Sequence, residues 1–195
     1  MTNARPCDQT VALGPASALE EPAASQTPSL RDLFSMHASY VWNTLRRLGA
    51  PASDLEDLTH DVFLQVHRHL GDYDPARPVR PWLFGFAYHI ASQDRRRAHR
   101  RHETPFEPDR IAHQGADPEE SAVAEQRRQI VLLALQGIDL QRRAVFVLYE
   151  LDGVPMSEIA RILAIPPNTA YSRLRVGRDE FAAAVKRIQA RRRDP

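Results

Sequence analysis

The sequence predicts an all-α fold: two small helical domains joined by a flexible acidic linker, the C-terminal one carrying a helix-turn-helix. Three observations carry that prediction. Apolar residues recur at three- and four-residue spacing in segment after segment, with capping residues ahead of them and glycine or proline behind. No segment alternates apolar and polar residues as a half-buried strand would. Charge is segregated: residues 103–122 carry six acids against Arg110 alone, net −5, whereas residues 123–195 carry thirteen cations against eight acids, net +5.

At 195 residues and 43% hydrophobic, the chain has enough apolar material for such cores. No stretch approaches the roughly 20 apolar residues of a membrane helix, and the first residues lack the apolar core of a signal peptide. The single cysteine, Cys7, excludes an internal disulfide framework and a Cys-rich zinc site. A reducing cytoplasm is the expected compartment. Of 26 cations, 25 are arginine and Lys186 is the one lysine. Arginine forks bind phosphate bidentately and stack on bases.

Residues 1–28, with four prolines and no periodicity, read as a disordered tail. A first domain spans 29–102. Its first helix opens at Ser29, with Asp32 three residues on as in a capping box, and presents Leu30, Leu33, Phe34, His37, Val41 and Leu45 inward until Gly49 and Pro51. A second helix opens with a full capping box, Ser53-Asp54-Leu55-Glu56, and runs to Leu70 before Gly71. Pro81 suits the first turn of a third helix that continues to about Arg101 and buries Leu83, Phe86, Ala87 and Ile90. Residues 103–119 read as the linker. A second domain, 120–190, holds helices at about 118–136, 139–152, 156–163 and 167–189, punctuated by Gly137 and Gly153.

Three surfaces can carry function. In the second domain, Ile159, Ala160 and Leu163 of a short helix meet a tight break at Ala164 to Pro166. The next helix buries Ala170, Leu174, Gly177 and Phe181, which makes a helix-turn-helix. Its outward face is Asn168, Tyr171, Ser172, Arg175 and Asp179, where asparagine can pair adenine and arginine guanine. Arg173 lies at the edge, placed for phosphate. On the third helix, Gly85, Tyr88, His89, Ser92, Arg95 and Arg96 face outward with Trp82 at the flank. Five arginines (Arg95, Arg96, Arg97, Arg100 and Arg101) fall within seven residues and repel one another unless phosphates neutralise them. Aromatic rings beside them offer stacking faces for unpaired bases. On the second helix, Leu55, Leu58, Val62 and Val66 face inward, and Asp57, His60, Asp61, Leu64 and Arg68 face out. An acidic ridge with one apolar anchor, Leu64, suits a protein partner. Asp57, His60 and Asp61 have metal-like spacing, but no further ligands accompany them, so neither metal nor cofactor is expected. No Gly-rich phosphate loop and no nucleophile with its base is present.

Taken in order, these segments resemble a known family. Asp54-Leu55-Glu56-Asp57-Leu58-Thr59-His60-Asp61-Val62-Phe63 is similar to the core-binding segment of sigma factors. Arg80-Pro81-Trp82-Leu83-Phe84 with the arginine run after it resembles their promoter-opening helix, and the helix-turn-helix resembles their C-terminal domain. The likeness covers about 29–102 and 120–188, and the short linker without a middle domain resembles the extracytoplasmic-function group. The resemblance implies an alternative sigma factor, not itself an enzyme. Asp57, His60, Asp61 and Leu64 would bind core RNA polymerase, the second helix docking on the clamp helices of its largest subunit, with the flap as a further polymerase contact. Trp82, Tyr88, His89, Arg95, Arg96 and Arg100, with the loop 71–80, would open and read the −10 element of promoter DNA. Asn168, Thr169, Tyr171, Ser172, Arg173 and Arg175 would read the −35 element. A cognate anti-sigma factor is a further implied partner, with no membrane insertion. Tyr88 and His89 stand where many relatives carry a basic residue and asparagine, Ala164 where a glycine is usual, and Tyr171 where a basic residue is common; these departures bear on which promoter is read. A helix-turn-helix regulator acting without polymerase would leave the Asp57/Asp61/Leu64 face and Trp82 unexplained, and would usually dimerise over two half-sites. A helical adaptor that binds no DNA is the third reading.

Overall fold

The computed structural model describes residues 28–101 and 118–193, with side chains described for 28–97 and 123–191. Of the expected tail only Pro28 lies within the described residues. Of the expected linker only Pro118 and Glu119 do, and they already belong to a helix. The side chains of Arg100 and Arg101 also lie outside them. Among the described residues every regular element is helical.

Helix α1 (Leu30–Leu48) starts at Ser29, whose Oγ accepts from the Asp32 amide at 3.2 Å and donates to the Asp32 carboxylate at 2.6 Å. It stops at Gly49, in the left-handed region at φ 94°, where the Gly49 amide donates to the Arg46 carbonyl and the Ala50 amide to that of Leu45. Leu33, Val41, Thr44, Leu45 and Leu48 are buried. The expected inward Phe34 is instead 48% exposed, with its ring edge-on to that of Phe63 at a centroid distance of 4.8 Å.

The capping box expected for the second helix does not form. Ala52–Asp54 make a single 3-10 turn, Ser53 Oγ donates to the Asp54 carboxylate instead of reaching a free amide, and α2 runs Leu55–Arg68. The expected Leu55, Leu58, Val62 and Val66 are buried, and so are Thr59 and Phe63, since α2 packs on both α1 and the third helix, α3 (Val79–Arg101). A short turn, Leu70–Asp72, leads towards α3 (Val79–Arg101). Helix α3 buries Leu83, Phe84, Ala87, Ile90 and Ala91. Phe86, expected inside, is half-buried, and Phe84 is completely buried because α3 is covered from two sides: by α1 and α2, and by α6 (Met156–Ile162) of the second unit.

The second unit comprises α4 (Pro118–Gln136), α5 (Leu140–Phe146), α6 (Met156–Ile162) and α7 (Pro167–Arg193). Asp139 caps α5 by accepting from the Gln141 amide at 3.0 Å, and α5 widens into a π-turn over Val147–Leu151. At the helix-turn-helix break Ala164 sits at φ 50°, and the Ile165 amide donates back to the Ala160 carbonyl at 2.9 Å. Ala170, Leu174 and Gly177 are buried as expected, while the half-buried Phe181 stacks on Phe146 at 4.8 Å. The two helical units also pack on each other, α1 against α4 and α5 and α3 against α6, so one buried apolar cluster runs from Leu33 to Leu174.

Ala164 holds a backbone conformation that costs an L-residue about 1–2 kcal/mol, against the roughly 0.5–1 kcal/mol of chain entropy that glycine loses. Ala164→Gly should therefore stabilise the fold by up to about 1 kcal/mol, opposite in sign to an ordinary Ala→Gly change. The shift of the urea midpoint at constant slope checks this, and a loss of stability would refute it.

Candidate nucleic-acid and protein interfaces

The ridge on α2 is assembled as its spacing implies. Asp57, His60, Asp61 and Leu64 recur at i, i+3, i+4 and i+7, all are exposed, and Leu64 keeps 44% of its surface in solvent. Beside the ridge an open groove of about 490 Å³ runs between α1 and α2, lined by Phe34, Ala38, Trp42, Glu56, Asp57 and His60. The α1 side of this groove escapes the sequence reading, which turns Phe34 inward. No sequence signal marks it: Phe34 shares the i, i+7, i+11 stripe of Val41 and Leu45, and Met36, also exposed, lies on the opposite side of α1.

Trp82, half-buried against the core, sits in a file of rings. Its ring centroid lies 4.8 Å from that of Tyr73 and 5.0 Å from that of Phe86, which in turn stands 5.6 Å from His69. The loop ahead of α3 is tied down. Tyr73 Oη donates to the Arg77 carbonyl at 2.9 Å, and the Asp74 carboxylate accepts from the Ala76 amide and from Arg77 Nε. Burial, with the Asp74 charge, raises the Tyr73 pKa, so the ring stays a neutral stacking surface. His89, Arg95, Arg96 and Arg97 are exposed, and the Gln93 amide meets His89 Nε2 at 2.5 Å. Gly85, Tyr88 and Ser92, expected outward, are half-buried, because α5 and α6 lie over that side of α3: Tyr88 and Ser92 line one cleft with Leu140 and Gln141.

On α7 the structure brings Asn168, Tyr171, Ser172 and Arg175 onto one exposed face, Tyr171 at 59%. Thr169 is half-buried. Arg173, expected at the phosphate edge, is half-buried and donates to Gln141 Oε1 at 2.6 Å, so α5 already holds its guanidinium. Neighbouring Arg161 on α6 is paired with Glu158. Among the described residues no three His, Cys, Asp or Glu side chains are placed to hold a metal ion. No described helix is long and apolar enough to cross a membrane.

Comparison with known proteins matches both helical units. The family model for Sigma-70 region 2 matches residues 33–102, and that for Sigma-70 region 4 matches 128–180. The chain is 33% identical over 163 residues to RNA polymerase sigma factor CarQ of Myxococcus xanthus, covering 83% of this chain and 91% of CarQ. It is 30% identical over 159 residues to the ECF RNA polymerase sigma factor SigL of Mycobacterium tuberculosis, covering 78% of this chain and 86% of SigL. With SigE of Mycolicibacterium smegmatis it shares 29% identity over 156 residues but spans only 60% of that protein. Its fold matches that of RpoE from Bartonella quintana, solved with the anti-sigma factor NepR, at a TM-score of 0.64 over 80% of this chain and 96% of RpoE, with 17% identity. With the region 2 match ending on the arginine run of α3, the region 4 match enclosing the helix-turn-helix, and CarQ aligned along most of both chains, the protein belongs to the extracytoplasmic-function (ECF) family of sigma-70 RNA polymerase sigma factors.

Proposed function

We propose that three surfaces divide the work of this alternative sigma factor in transcription initiation: the α2 ridge binds core polymerase, the Trp82 file and the basic end of α3 engage the −10 element, and the α7 face reads the −35 element. The observation that carries the proposal is the exposure, on one chain, of a protein-type ridge with Leu64 at its centre and of a polar helix-turn-helix face. A regulator working without polymerase has no use for the first. Bond-making belongs to the polymerase, so the chain contributes binding and strand opening, in the cytoplasm where the polymerase works. The opposite charges of the surfaces suit their targets: carboxylates for a protein partner, arginines for phosphate. RpoE was solved with an anti-sigma factor, and we extend that partnership to this chain. The domain limits that follow are 29–102 for the region 2-like unit, 103–119 for the linker and 120–190 for the region 4-like unit.

Asp61→Arg and Leu64→Asp should each weaken binding to core polymerase about tenfold or more without changing helix content, since both sit away from the core. Fluorescence anisotropy with purified core enzyme reads this, and unchanged affinity in both variants would assign the ridge elsewhere. Arg175→Ala should cost about 1–3 kcal/mol, concentrated at one −35 position. A promoter library decides it: equal loss across all −35 sequences would mean that Arg175 touches only phosphate. Trp82→Ala should bind core normally yet fail to melt duplex promoter, because unstacking costs a few kcal/mol that a supported ring offsets. A template with a pre-opened −10 bubble should restore transcription; equal failure on bubble and duplex would reduce Trp82 to packing.

A further inference from the structure

We propose that α7 carries a second DNA contact beyond the bases it reads: Lys186, three turns past Arg175 on the same face, binds a phosphate of the duplex flanking the −35 element. The proposal rests on the reading of the α7 face as the −35 surface.

Helix α7 outruns the domain it belongs to. The Sigma-70 region 4 match stops at residue 180, and the helix continues to Arg193. Residues 181–193 hold five cations and no acid. This extension is seated on the rest of the fold. The buried side of Leu174 and Gly177 continues through Phe181, which stacks on Phe146, through Ala184, 4% exposed, and through the half-buried Ile188. Ala184 lies against the end of α4, where a Cβ at Gly137 would come within 3.2 Å of its own Cβ. With α4 and α5 both packed along it, α7 keeps one register from Pro167 onward.

That register fixes which side faces out. At about 100° per residue Lys186 lies five full turns from Asn168 and in line with it, and Ser172 and Arg175 fall within about 40° of that line. All four side chains are exposed. A rise of about 1.5 Å per residue puts Lys186 about 16 Å beyond Arg175 along the axis, and the major groove is about 12 Å wide. A helix that holds Arg175 at base edges therefore carries Lys186 past the rim of the groove, level with the sugar–phosphate backbone. The C-terminal end of a homeodomain's reading helix meets phosphate in this way.

Lys186 has no other evident task. Cations at a helix end offset the macrodipole, but that effect falls off within the last turn. It covers Arg191 and leaves Lys186, two turns back from Arg193, without a role. Arg187 lies beside the end of α4, its Nη2 3.7 Å from a Cβ built at Gly137, where helix carbonyls need donors. Lys186 has no hydrogen bond or ion pair among the described residues. Asp179, the acid on the same face, stands about 10 Å away along the axis, roughly a Debye length, so it leaves the ammonium charge open to phosphate.

The test uses the holoenzyme formed by the full chain with purified core polymerase. Lys186 is the one lysine of the chain, so amine acetylation followed by mass spectrometry reports on it with only the N-terminal amine beside it. Lys186 should react in the holoenzyme and become protected once a promoter duplex with a −35 element is bound. Lys186→Gln, which keeps a good helix former at an exposed position, should weaken promoter binding about five- to tenfold near 0.1 M salt. It should also lower the slope of log affinity against log salt by about 1, equally for every −35 sequence. Lys186→Arg should keep the parent slope. A Lys186 that stays reactive in the bound complex, or an unchanged slope in Lys186→Gln, would overturn the contact. A Lys186 already shielded before DNA is added would assign it to polymerase and overturn the contact as well. A parent holoenzyme indifferent to the −35 sequence would overturn the reading of the α7 face, and protection of Lys186 on that DNA would still decide the phosphate contact.

Discussion

Two helix ends meet at a single buried cation. Arg143 donates to the carbonyls of Gln136 at the end of α4 and of Ile138 just beyond it, and to that of Leu48 at the end of α1. The last carbonyls of a helix have no partner within it and carry its partial negative charge. A guanidinium, with five donors in a fixed fork, can serve several of them together; an ammonium of the same charge cannot spread its donors that way. Burial, and to a lesser degree the nearby Arg95, push its pKa down to about 10, which still leaves it charged at neutral pH. Gly49 makes the geometry possible twice over. It supplies the left-handed turn that ends α1, and any Cβ there would collide with Arg143 Nη1.

Asp152 works on the opposite charge. Its carboxylate, 11% exposed, meets Arg47 and the Tyr40 hydroxyl, and burial followed by that carboxylate raises the Tyr40 pKa, so the hydroxyl remains a donor. These polar contacts flank an apolar seam in which Leu135, Ile138 and Ile159 continue the cluster begun by Leu33 and Leu45. The seam is a contact between two units that each have their own buried helix faces. An interface of that kind permits relative motion.

The outer surfaces follow from the same packing. Because α2 is pinned by Leu55, Leu58, Val62 and Val66, its remaining face is fixed, and Asp57, His60, Asp61 and Leu64 fall on it together. Because Ala170 and Leu174 anchor α7 against α6 and α5, Asn168, Tyr171, Ser172 and Arg175 point away from both. Trp82 is held differently: Tyr73 from the loop and Phe86 from one turn further along α3 support its ring. A ring so supported keeps a defined orientation, which a base-stacking or wedging role needs.

The sequence by itself determined the helices, their order, and the residues of the α2 and α7 faces. These are local properties: a 3.6-residue period states which side of a helix is apolar, and Ser29, Gly49, Pro81 and the Ala164–Pro166 break state where helices begin and end. The tertiary structure alone decided which sides are covered twice and which polar groups find partners. Phe84 became fully buried because α3 is covered by α6 as well as by α1 and α2, Phe34 stayed half outside in the α1–α2 groove with only part of its ring against Phe63, and Ser53 turned to Asp54 instead of capping α2. Arg173 was drawn to Gln141 and Arg143 to Leu48. Periodicity records how much apolar surface a helix offers, but not how many neighbours bury it. The partner of a buried charge is chosen by whichever unsatisfied group the fold brings within reach, here a carbonyl 95 residues away.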